Sequence, residues 1–180
     1  MKTVKLWDKE FEISFPAKEI DGWISNLANT INADMAKEDM PLFISVLNGS
    51  FIFTADLLRK IEVPCHVSFI KLASYHGTKS SGEVTELIGL TESIEGKVVI
   101  VVEDIVDTGI TLTKLISSLS KLNPKKILIA TLLYKPNAYK GAHKIDYVGK
   151  EIPNDFIVGY GLDYDGIGRN LADIYTLIKS

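Results

Sequence analysis

The run 97–113 constrains the fold more than any other part of this chain. Residues 98–102 are a nearly continuous β-branched series, which is typical of a parallel strand covered on both faces. Two acids, Glu103 and Asp104, follow this strand, and the turn 107–111 leads into a helix. The run therefore predicts a strand–turn–helix unit of an α/β domain, with acidic groups and helix amides at one edge of a sheet.

The rest of the chain extends this unit into a mainly parallel sheet. Short apolar runs alternate with amphipathic stretches, which predicts strands that alternate with helices. The predicted helices are 16–39, 51–60 and 111–122, and the predicted strands are 42–47, 64–73, 98–102, 126–133 and 156–160. Ligands bind beyond the carboxyl ends of such strands, so we expect the chemistry there.

Composition excludes several classes of protein. The 180 residues are 46% hydrophobic and 24% charged, as in one globular domain, and a net charge of −3 argues against a nucleic-acid binder that works through bulk electrostatics. No apolar stretch approaches the ~18 residues of a membrane span, and the N-terminus has no signal-peptide pattern. We therefore expect a soluble cytoplasmic protein. Cys65 is the single cysteine, and we expect a buried structural thiol.

Read alone, the acids and the turn each allow two interpretations. Glu103 and Asp104 form either a solvated corner or a clamp for a sugar diol and a divalent metal, since adjacent buried carboxylates need a cation or donors. The turn is either an ordinary βα turn, capped by Asp107 or Thr108, or a phosphate cradle. In a cradle, Gly109 would permit close backbone approach and the helix N-terminus would supply amides.

The wider run resolves these alternatives through a resemblance. Residues 98–111, Val-Val-Ile-Val-Val-Glu-Asp-Ile-Val-Asp-Thr-Gly-Ile-Thr, resemble the phosphoribosyl-pyrophosphate (PRPP) signature of the type I phosphoribosyltransferases, more narrowly their hypoxanthine–guanine (6-oxopurine) branch. In the family's order, 47–50 resembles its pyrophosphate loop, 74–82 its catalytic flexible loop, 133–136 its purine-contacting lysine segment and 156–164 its purine-binding strand and loop. The resemblance covers about residues 13–175.

The fold that this resemblance implies is a single α/β domain over residues 1–180. It would contain a mainly parallel twisted sheet flanked by helices, a small hood and a flexible active-site loop. The hood would come from the N-terminal segment and about residues 150–175, and the loop would span about 74–86. Because the family commonly assembles as dimers or tetramers, we also expect a homo-oligomer.

The function that the resemblance implies is purine salvage. The enzyme would transfer the 5-phosphoribosyl group of PRPP to hypoxanthine or guanine, giving IMP or GMP and pyrophosphate, with Mg²⁺ as cofactor. Asp107 would be the general acid or base at purine N7. Asn48 and Gly49 would bind the pyrophosphate of PRPP together with Arg169. Glu103 and Asp104 would bind the ribose hydroxyls and magnesium. The 5′-phosphate would be bound by Asp107, Thr108, Gly109, Ile110 and Thr111.

The purine contacts follow from the same resemblance. Phe156 would stack on the base, Lys135 would donate to the 6-oxo group, and the carbonyls of Ile157 and Asp163 would face the ring edge. The Asp163 carboxylate would help to hold a second magnesium. Ser74 and Tyr75 would lead the flexible loop that excludes water from the reacting centre.

Two alternatives stay open on the sequence. Lys135 donates and cannot accept, so it favours a 6-oxo group over the amino group of adenine, but it cannot separate xanthine from hypoxanthine and guanine. A regulator that reuses this fold to sense PRPP or nucleotide and bind nucleic acid is a second hypothesis, although the sequence has no helix-turn-helix extension or basic stripe.

The sequence also departs from the family pattern in places. Asn48 stands where lysine is frequent, and Gly166 and Gly168 stand where bulkier residues are common. The backbone is expected to make the contact at Asn48, so activity should survive that change. The resemblance further implies a cis peptide between Leu47 and Asn48.

Overall fold

The computed structural model describes residues 2–38, 40–73 and 86–178. Within these ranges the strands are β1 Thr3–Leu6, β2 Lys9–Phe15, β3 Leu42–Leu47, β4 His66–Ala73, β5 Glu86–Ile88, β6 Val98–Val106, β7 Lys126–Tyr134, β8 Tyr147–Glu151, β9 Ile157–Val158 and β10 Ile174–Leu177. The helices are α1 Ala17–Met35, α2 Phe51–Leu58 and α3 Ile110–Ser120. The predicted loop leaders Ser74 and Tyr75, and the predicted loop as far as residue 85, lie outside the described residues.

A six-stranded sheet forms the centre of the molecule, in the order β5-β4-β3-β6-β7-β8. Five neighbouring strands of this sheet are parallel, namely β4, β3, β6, β7 and β8. Strand β5 runs antiparallel to β4 at one edge. Helices α1 and α2 pack on one face, against Ile100 and Val102 of β6, and α3 packs on the other, against Val99 and Val101. The predicted α/β fold, a mainly parallel sheet flanked by helices, is confirmed.

Helix α1 forms as its apolar spacing predicts. Pro16 precedes it with φ −65°, a value that the proline ring fixes and that suits a helix entry. Apolar residues recur every three or four positions, so they share the face that packs on the sheet. The buried residues at this spacing are Ile20, Ile24, Leu27, Ile31 and Met35, whereas Trp23 is half-buried.

A second, antiparallel sheet is built from both ends of the chain, in the order β1-β2-β10-β9. Its small core consists of Phe11, Val158 and Tyr175. The strand predicted over 156–160 belongs to this sheet rather than to the parallel one, and it is shorter than predicted. It ends after Val158 because Gly159, Tyr160 and Gly161 all have positive φ, which breaks extended backbone.

Strand β6 is longer than predicted. It runs to Val106, which pairs with Tyr134 of β7, so the predicted end at residue 102 is wrong. Glu103 and Asp104 are therefore inside a strand, where successive side chains point to opposite faces. Continued hydrogen bonding to β7 extends β6 through two acidic residues that, from sequence, indicate a turn.

Two further sequence expectations concern a thiol and a membrane span. Cys65 is half-buried rather than buried as predicted, although it packs against the main core and its partial burial raises the pKa of the thiol. Among the described residues, no helix combines the length and the apolar character needed to cross a bilayer.

Candidate functional site

Glu103 and Asp104 face different parts of one site at the carboxyl end of β6. Glu103, only 8% exposed, lines a cavity of about 120 Å³ together with residues 107–112. The Asp104 carboxylate instead lies against Gly49, on the side of the sheet that α2 covers. The two acids thus border two neighbouring compartments, the first beside α3 and the second beside the loop that precedes α2.

Burial shapes the protonation of both acids. It raises the pKa of Glu103 well above its usual range, and the nearby Asp104 charge raises it further. Burial also raises the pKa of Asp104 to about 6, although the Ile105 N–H, which donates to Asp104 Oδ1 at 2.9 Å, and the Arg169 charge both oppose this shift. Two carboxyls in these surroundings favour a cation or hydrogen-bond donors beside them.

The N-terminus of α3 forms the wall of the small cavity. Gly109 is the N-cap residue, with φ +78°, and no side chain caps the helix by a hydrogen bond. Of the two interpretations of this turn, the one with a cap by Asp107 or Thr108 is therefore not observed. Because the first amides of a helix have no partner within it, Ile110, Thr111 and Leu112 present N–H groups where a phosphate can bind.

The Tyr139 ring packs against the turn 107–111, a contact that was not predicted from the sequence. A Cβ atom at Gly109 would collide with the Tyr139 ring, so no larger residue fits there with this backbone. The Tyr139 hydroxyl donates to the carbonyl of His143 at 2.6 Å, and the Lys140 N–H donates to the carbonyl of Thr108 at 3.1 Å. Nothing in the local pattern around Tyr139 indicates a neighbour 30 positions earlier in the chain.

Asp107 and Lys135 meet at the ends of β6 and β7. Lys135 Nζ donates to Asp107 Oδ2 at 2.8 Å, and the Lys135 N–H donates to the Val106 carbonyl at 3.0 Å. The lysine side chain is about 10% exposed, whereas that of the aspartate is 47% exposed. The structure thus brings together the predicted proton-handling residue and the predicted purine-reading residue.

The loop after β3 carries the expected cis peptide between Leu47 and Asn48, and Asn48 is exposed. Gly49 is enclosed by Asp104 on one side and Gly161 on the other, since a Cβ on either glycine would collide. Below the loop, the Ser50 hydroxyl lies 2.7 Å from the Ser45 hydroxyl and donates to the Val46 carbonyl at 2.6 Å. These buried contacts fix the position of the loop.

Arg169 and Asp163 approach the same loop from the C-terminal part of the chain. Arg169 Nη1 donates to the Gly161 carbonyl at 2.7 Å, and its Nη2 lies 2.5 Å from Asp163 Oδ1. The other Asp163 oxygen accepts from the Gly166 N–H at 2.8 Å. Arg169 therefore lies beside Gly161, which itself packs on Gly49, in a position suited to an anion at this loop.

Phe156 lies just before β9 and is 45% exposed. Its ring packs on Phe11 and Tyr164, with centroids 6.2 and 5.8 Å apart, and Ile157 beside it is buried. An apolar ring left half in solvent beside a polar site provides a stacking surface. Read from sequence without the resemblance, Phe156 would be core, and the structure does not place it there.

The acids of the site fit a magnesium ion. Across residues 2–38, 40–73 and 86–178, no three His, Cys, Asp or Glu side chains are grouped to hold a metal by themselves. Mg²⁺ usually binds through one or two carboxylates and substrate phosphates rather than through a closed protein cage. Glu103, Asp104 and Asp163 offer hard oxygen donors of this kind, beside the places suited to phosphate.

Comparisons with known proteins agree with this geometry. A family model described as a phosphoribosyl transferase domain matches residues 16–165. The hypoxanthine-guanine phosphoribosyltransferase of Mycobacterium tuberculosis is 40% identical, over 98% of this chain and 91% of its own length. That of Staphylococcus epidermidis is 43% identical, over 86% of this chain and 88% of its own.

A solved structure gives the same result for the fold. It is a hypoxanthine phosphoribosyl transferase of Trypanosoma cruzi, from work on the role of its C-terminal region in oligomeric state and enzymatic activity. The two structures superpose with a TM-score of 0.84 at 36% identity, and the match covers 97% of this chain and 95% of the other.

Proposed function

This chain belongs to the phosphoribosyltransferase family, and from that premise we propose how its residues act on PRPP and a purine. The protein is a purine salvage enzyme of the hypoxanthine–guanine type, as its relatives over most of the chain indicate. It transfers the 5-phosphoribosyl group of PRPP to hypoxanthine or guanine and releases pyrophosphate.

The two compartments divide PRPP between them. The 5′-phosphate lies in the cavity at the N-terminus of α3, where Asp107, Thr108, Gly109, Ile110 and Thr111 surround it and backbone amides neutralise its charge. The pyrophosphate lies on the loop of Asn48 and Gly49, with Arg169 near enough to bind it through its guanidinium. The ribose joins the two phosphate groups of PRPP, so it would lie between the two compartments. Glu103 borders one compartment and Asp104 borders the other, which supports this division.

Glu103 and Asp104 hold the ribose hydroxyls and, with Asp163, the magnesium that accompanies PRPP. When bound, Mg²⁺ supplies positive charge that neutralises the departing pyrophosphate. Ionised carboxylates are needed for this role, whereas burial raises the pKa of both Glu103 and Asp104 and so favours their neutral forms. A cation and sugar hydroxyls remove that disadvantage.

The ion pair of Asp107 with Lys135 is the observation that carries the choice of acceptor. On a 6-oxopurine, N7 and O6 are adjacent on one edge of the base. A carboxylate and an ammonium 2.8 Å apart match that edge, with Asp107 at N7 and Lys135 at the 6-oxo group. The ammonium has three donors, so Lys135 can keep Asp107 while it donates to the base.

Transfer then needs one bond made and one broken. N9 of the purine bonds to C1′ as the bond from C1′ to the pyrophosphate oxygen breaks, and pyrophosphate leaves with the electron pair. The proton lost from the base passes from N7 to Asp107. Phe156 stacks on the base, and the carbonyls of Ile157 and Asp163 bind its remaining edge. Positioning and electrostatics supply most of the acceleration.

One assay tests this function and the open question of xanthine. PRPP and Mg²⁺ are supplied with hypoxanthine, guanine, xanthine or adenine in parallel, and nucleotide formation is measured. Hypoxanthine and guanine should be the best acceptors, with adenine the poorest because Lys135 offers its amino group nothing. Adenine as the best acceptor would overturn the role given to Lys135, and transfer to xanthine at a similar rate would widen the acceptor class.

Assembly and location follow as further proposals from the same family. The chain would act as a single domain over residues 1–180 within a homo-oligomer, a dimer or tetramer, and its site would work in the cytoplasm with small molecules only. For the Trypanosoma cruzi relative, a role of the C-terminal region in oligomeric state has been studied, which makes assembly a question to test here as well. Sedimentation of the purified protein measures the assembly directly.

A further inference from the structure

The turn between β1 and β2 contacts the aromatic residues of the purine side, and no role given above uses it. Lys9, the first residue of β2, places Nζ 4.6 Å from the centre of the Tyr164 ring and 5.7 Å from that of Phe156. The Tyr164 hydroxyl donates to Asp8 Oδ1 at 2.8 Å. Lys9 therefore contacts the ring face of Tyr164, and the adjacent Asp8 of the turn accepts a hydrogen bond from its hydroxyl.

Tyr164 in turn sets the position of Phe156. The two rings meet edge to face, with centroids 5.8 Å apart and an interplanar angle of 85°. Phe11 of β2 is fully buried and packs on both of them, at 6.2 and 6.0 Å. Phe156 is thus supported on two sides, while 45% of it stays exposed for a ligand.

A second contact joins the same hairpin to the loop that carries Asp163 and Arg169. Gly168 has φ +96°, and a Cβ there would lie 2.8 Å from Leu6 Cδ1 of β1. A bulkier residue would be strained by the backbone and would also displace Leu6. In this chain, Gly168 therefore suits both its own backbone conformation and the close approach of β1.

We propose that the hairpin of β1 and β2 is a positioning element of the purine site, with Lys9 as its central residue. Lys9 and Asp8 hold Tyr164, Tyr164 and Phe11 hold the Phe156 ring, and the purine stacks on the ring so fixed. Lys9 acts through these rings and not on the base, so it governs purine affinity rather than the bond-breaking step. This inference rests on the function proposed above.

The test compares steady-state KM values for hypoxanthine and PRPP in three variants. Lys9→Met removes the charge but keeps the length, Lys9→Arg keeps a cation over the rings, and Lys5→Met changes an exposed lysine of the same hairpin as a control. At a partly exposed site, the attraction between a cation and aromatic rings corresponds to a change of about fivefold in affinity. We therefore expect the purine KM of Lys9→Met to rise about fivefold.

The expected pattern is specific. Lys9→Met should keep the wild-type kcat and PRPP KM, Lys9→Arg should restore the purine KM, and Lys5→Met should match wild type. An unchanged purine KM in Lys9→Met, or an equal rise in Lys5→Met, overturns the inference. Absence of transfer by the wild-type protein would instead overturn the proposed function, so the two failures are distinguishable.

Tyr164→Phe provides a second measurement on the same cluster. It removes the hydroxyl that donates to Asp8 and keeps the ring that packs on Phe156. We expect a rise in the purine KM of about twofold to fivefold, with the PRPP KM unchanged. A rise in the PRPP KM alone would show that the hairpin serves the phosphate compartment instead.

Discussion

Lys135 Nζ lies 2.8 Å from Asp107 Oδ2, although the two residues are 28 positions apart in the chain. Parallel pairing of β6 with β7 brings them together. Val106 and Tyr134 are partners at the ends of these strands, and the next residues along the chain are Asp107 and Lys135. The lysine is nearly enclosed, and the carboxylate is half exposed. The pair therefore presents an acceptor and a donor side by side to whatever enters the site.

Asp107→Asn should lower kcat by about 100-fold or more, since general acid–base catalysis contributes ~10²–10⁴-fold and an amide cannot take up the N7 proton. PRPP binding should survive, because the backbone amides of α3 are proposed to make most of the phosphate contacts. Single-turnover kinetics with bound PRPP separate these two effects. Asp21→Asn, which changes an exposed acid paired with Lys60, is the control. Near-wild-type turnover of Asp107→Asn would remove Asp107 from the chemistry.

Lys135→Met should lower kcat/KM for hypoxanthine by about tenfold to a hundredfold, because a hydrogen bond from a charged group is worth ~1.5–3 kcal/mol. Activity with adenine should fall much less, so the ratio of the two activities is the informative quantity. Lys144→Met changes a lysine that is 83% exposed and should leave that ratio unchanged. An equal loss with both bases would mean that Lys135 only supports Asp107.

Asp104→Asn should stabilise the unliganded protein at neutral pH. Burial raises the pKa of Asp104 to about 6, whereas the unfolded residue titrates near ~3.9. The folded state therefore binds more protons between these values, and wild-type stability is lost as pH rises through about 4 to 6. Denaturant unfolding should show the variant about 3 kcal/mol more stable at pH 8 and equal at about pH 3.5. Asp21→Asn, at an exposed site, should show no such trend.

Magnesium with PRPP should show the opposite pH trend. Binding requires ionised acids at Glu103 and Asp104, and protonation competes with it because burial raises the pKa of both. The rise in melting temperature on adding Mg²⁺ and PRPP should therefore be larger at pH 8 than at pH 5. Asp104→Asn should weaken this dependence. A rise that is independent of pH would place the metal away from these acids.

Gly49→Ala should weaken PRPP binding strongly, since the new methyl group would collide with the Asp104 carboxylate. Either the acid or the loop must move, and both are proposed to contact PRPP. Gly22→Ala is the matched control, because Gly22 is an exposed position in α1 with open space around it. That change should stabilise the protein by about 0.5–1 kcal/mol and leave the PRPP KM unaltered. A PRPP KM unchanged in Gly49→Ala would contradict the assignment of this loop.

The helices and the inner strands could be predicted because their signals are local. The apolar spacing of α1 and the β-branched run of β6 identify both elements within a few residues, as does the apolar run of β3. The outer strand β8 carries weaker signals, and the terminal strands β1, β2 and β10 form a separate antiparallel sheet with β9. These were missed, since a short polar strand is defined by its partner rather than by its own residues.

The residues of the site were predicted more completely than their geometry. The sequence singled out Glu103 and Asp104 but indicated a turn, whereas pairing with β7 keeps them in a strand and sends them to different compartments. Tyr139 against Gly109 and Lys9 over Tyr164 gave no sequence signal, because each contact joins segments that are distant in the chain.

The sequence by itself determined the α/β pattern, the family and the chemical types present at the site: acids, a glycine turn before a helix, a donor lysine and an aromatic ring. Only the tertiary structure decided which of these meet. It pairs Asp107 with Lys135, encloses Gly49 between Asp104 and Gly161, and brings the first hairpin under Phe156. The reason is that hydrophobic periodicity is a local property, whereas the distance between side chains on separate strands depends on register and packing across the whole fold.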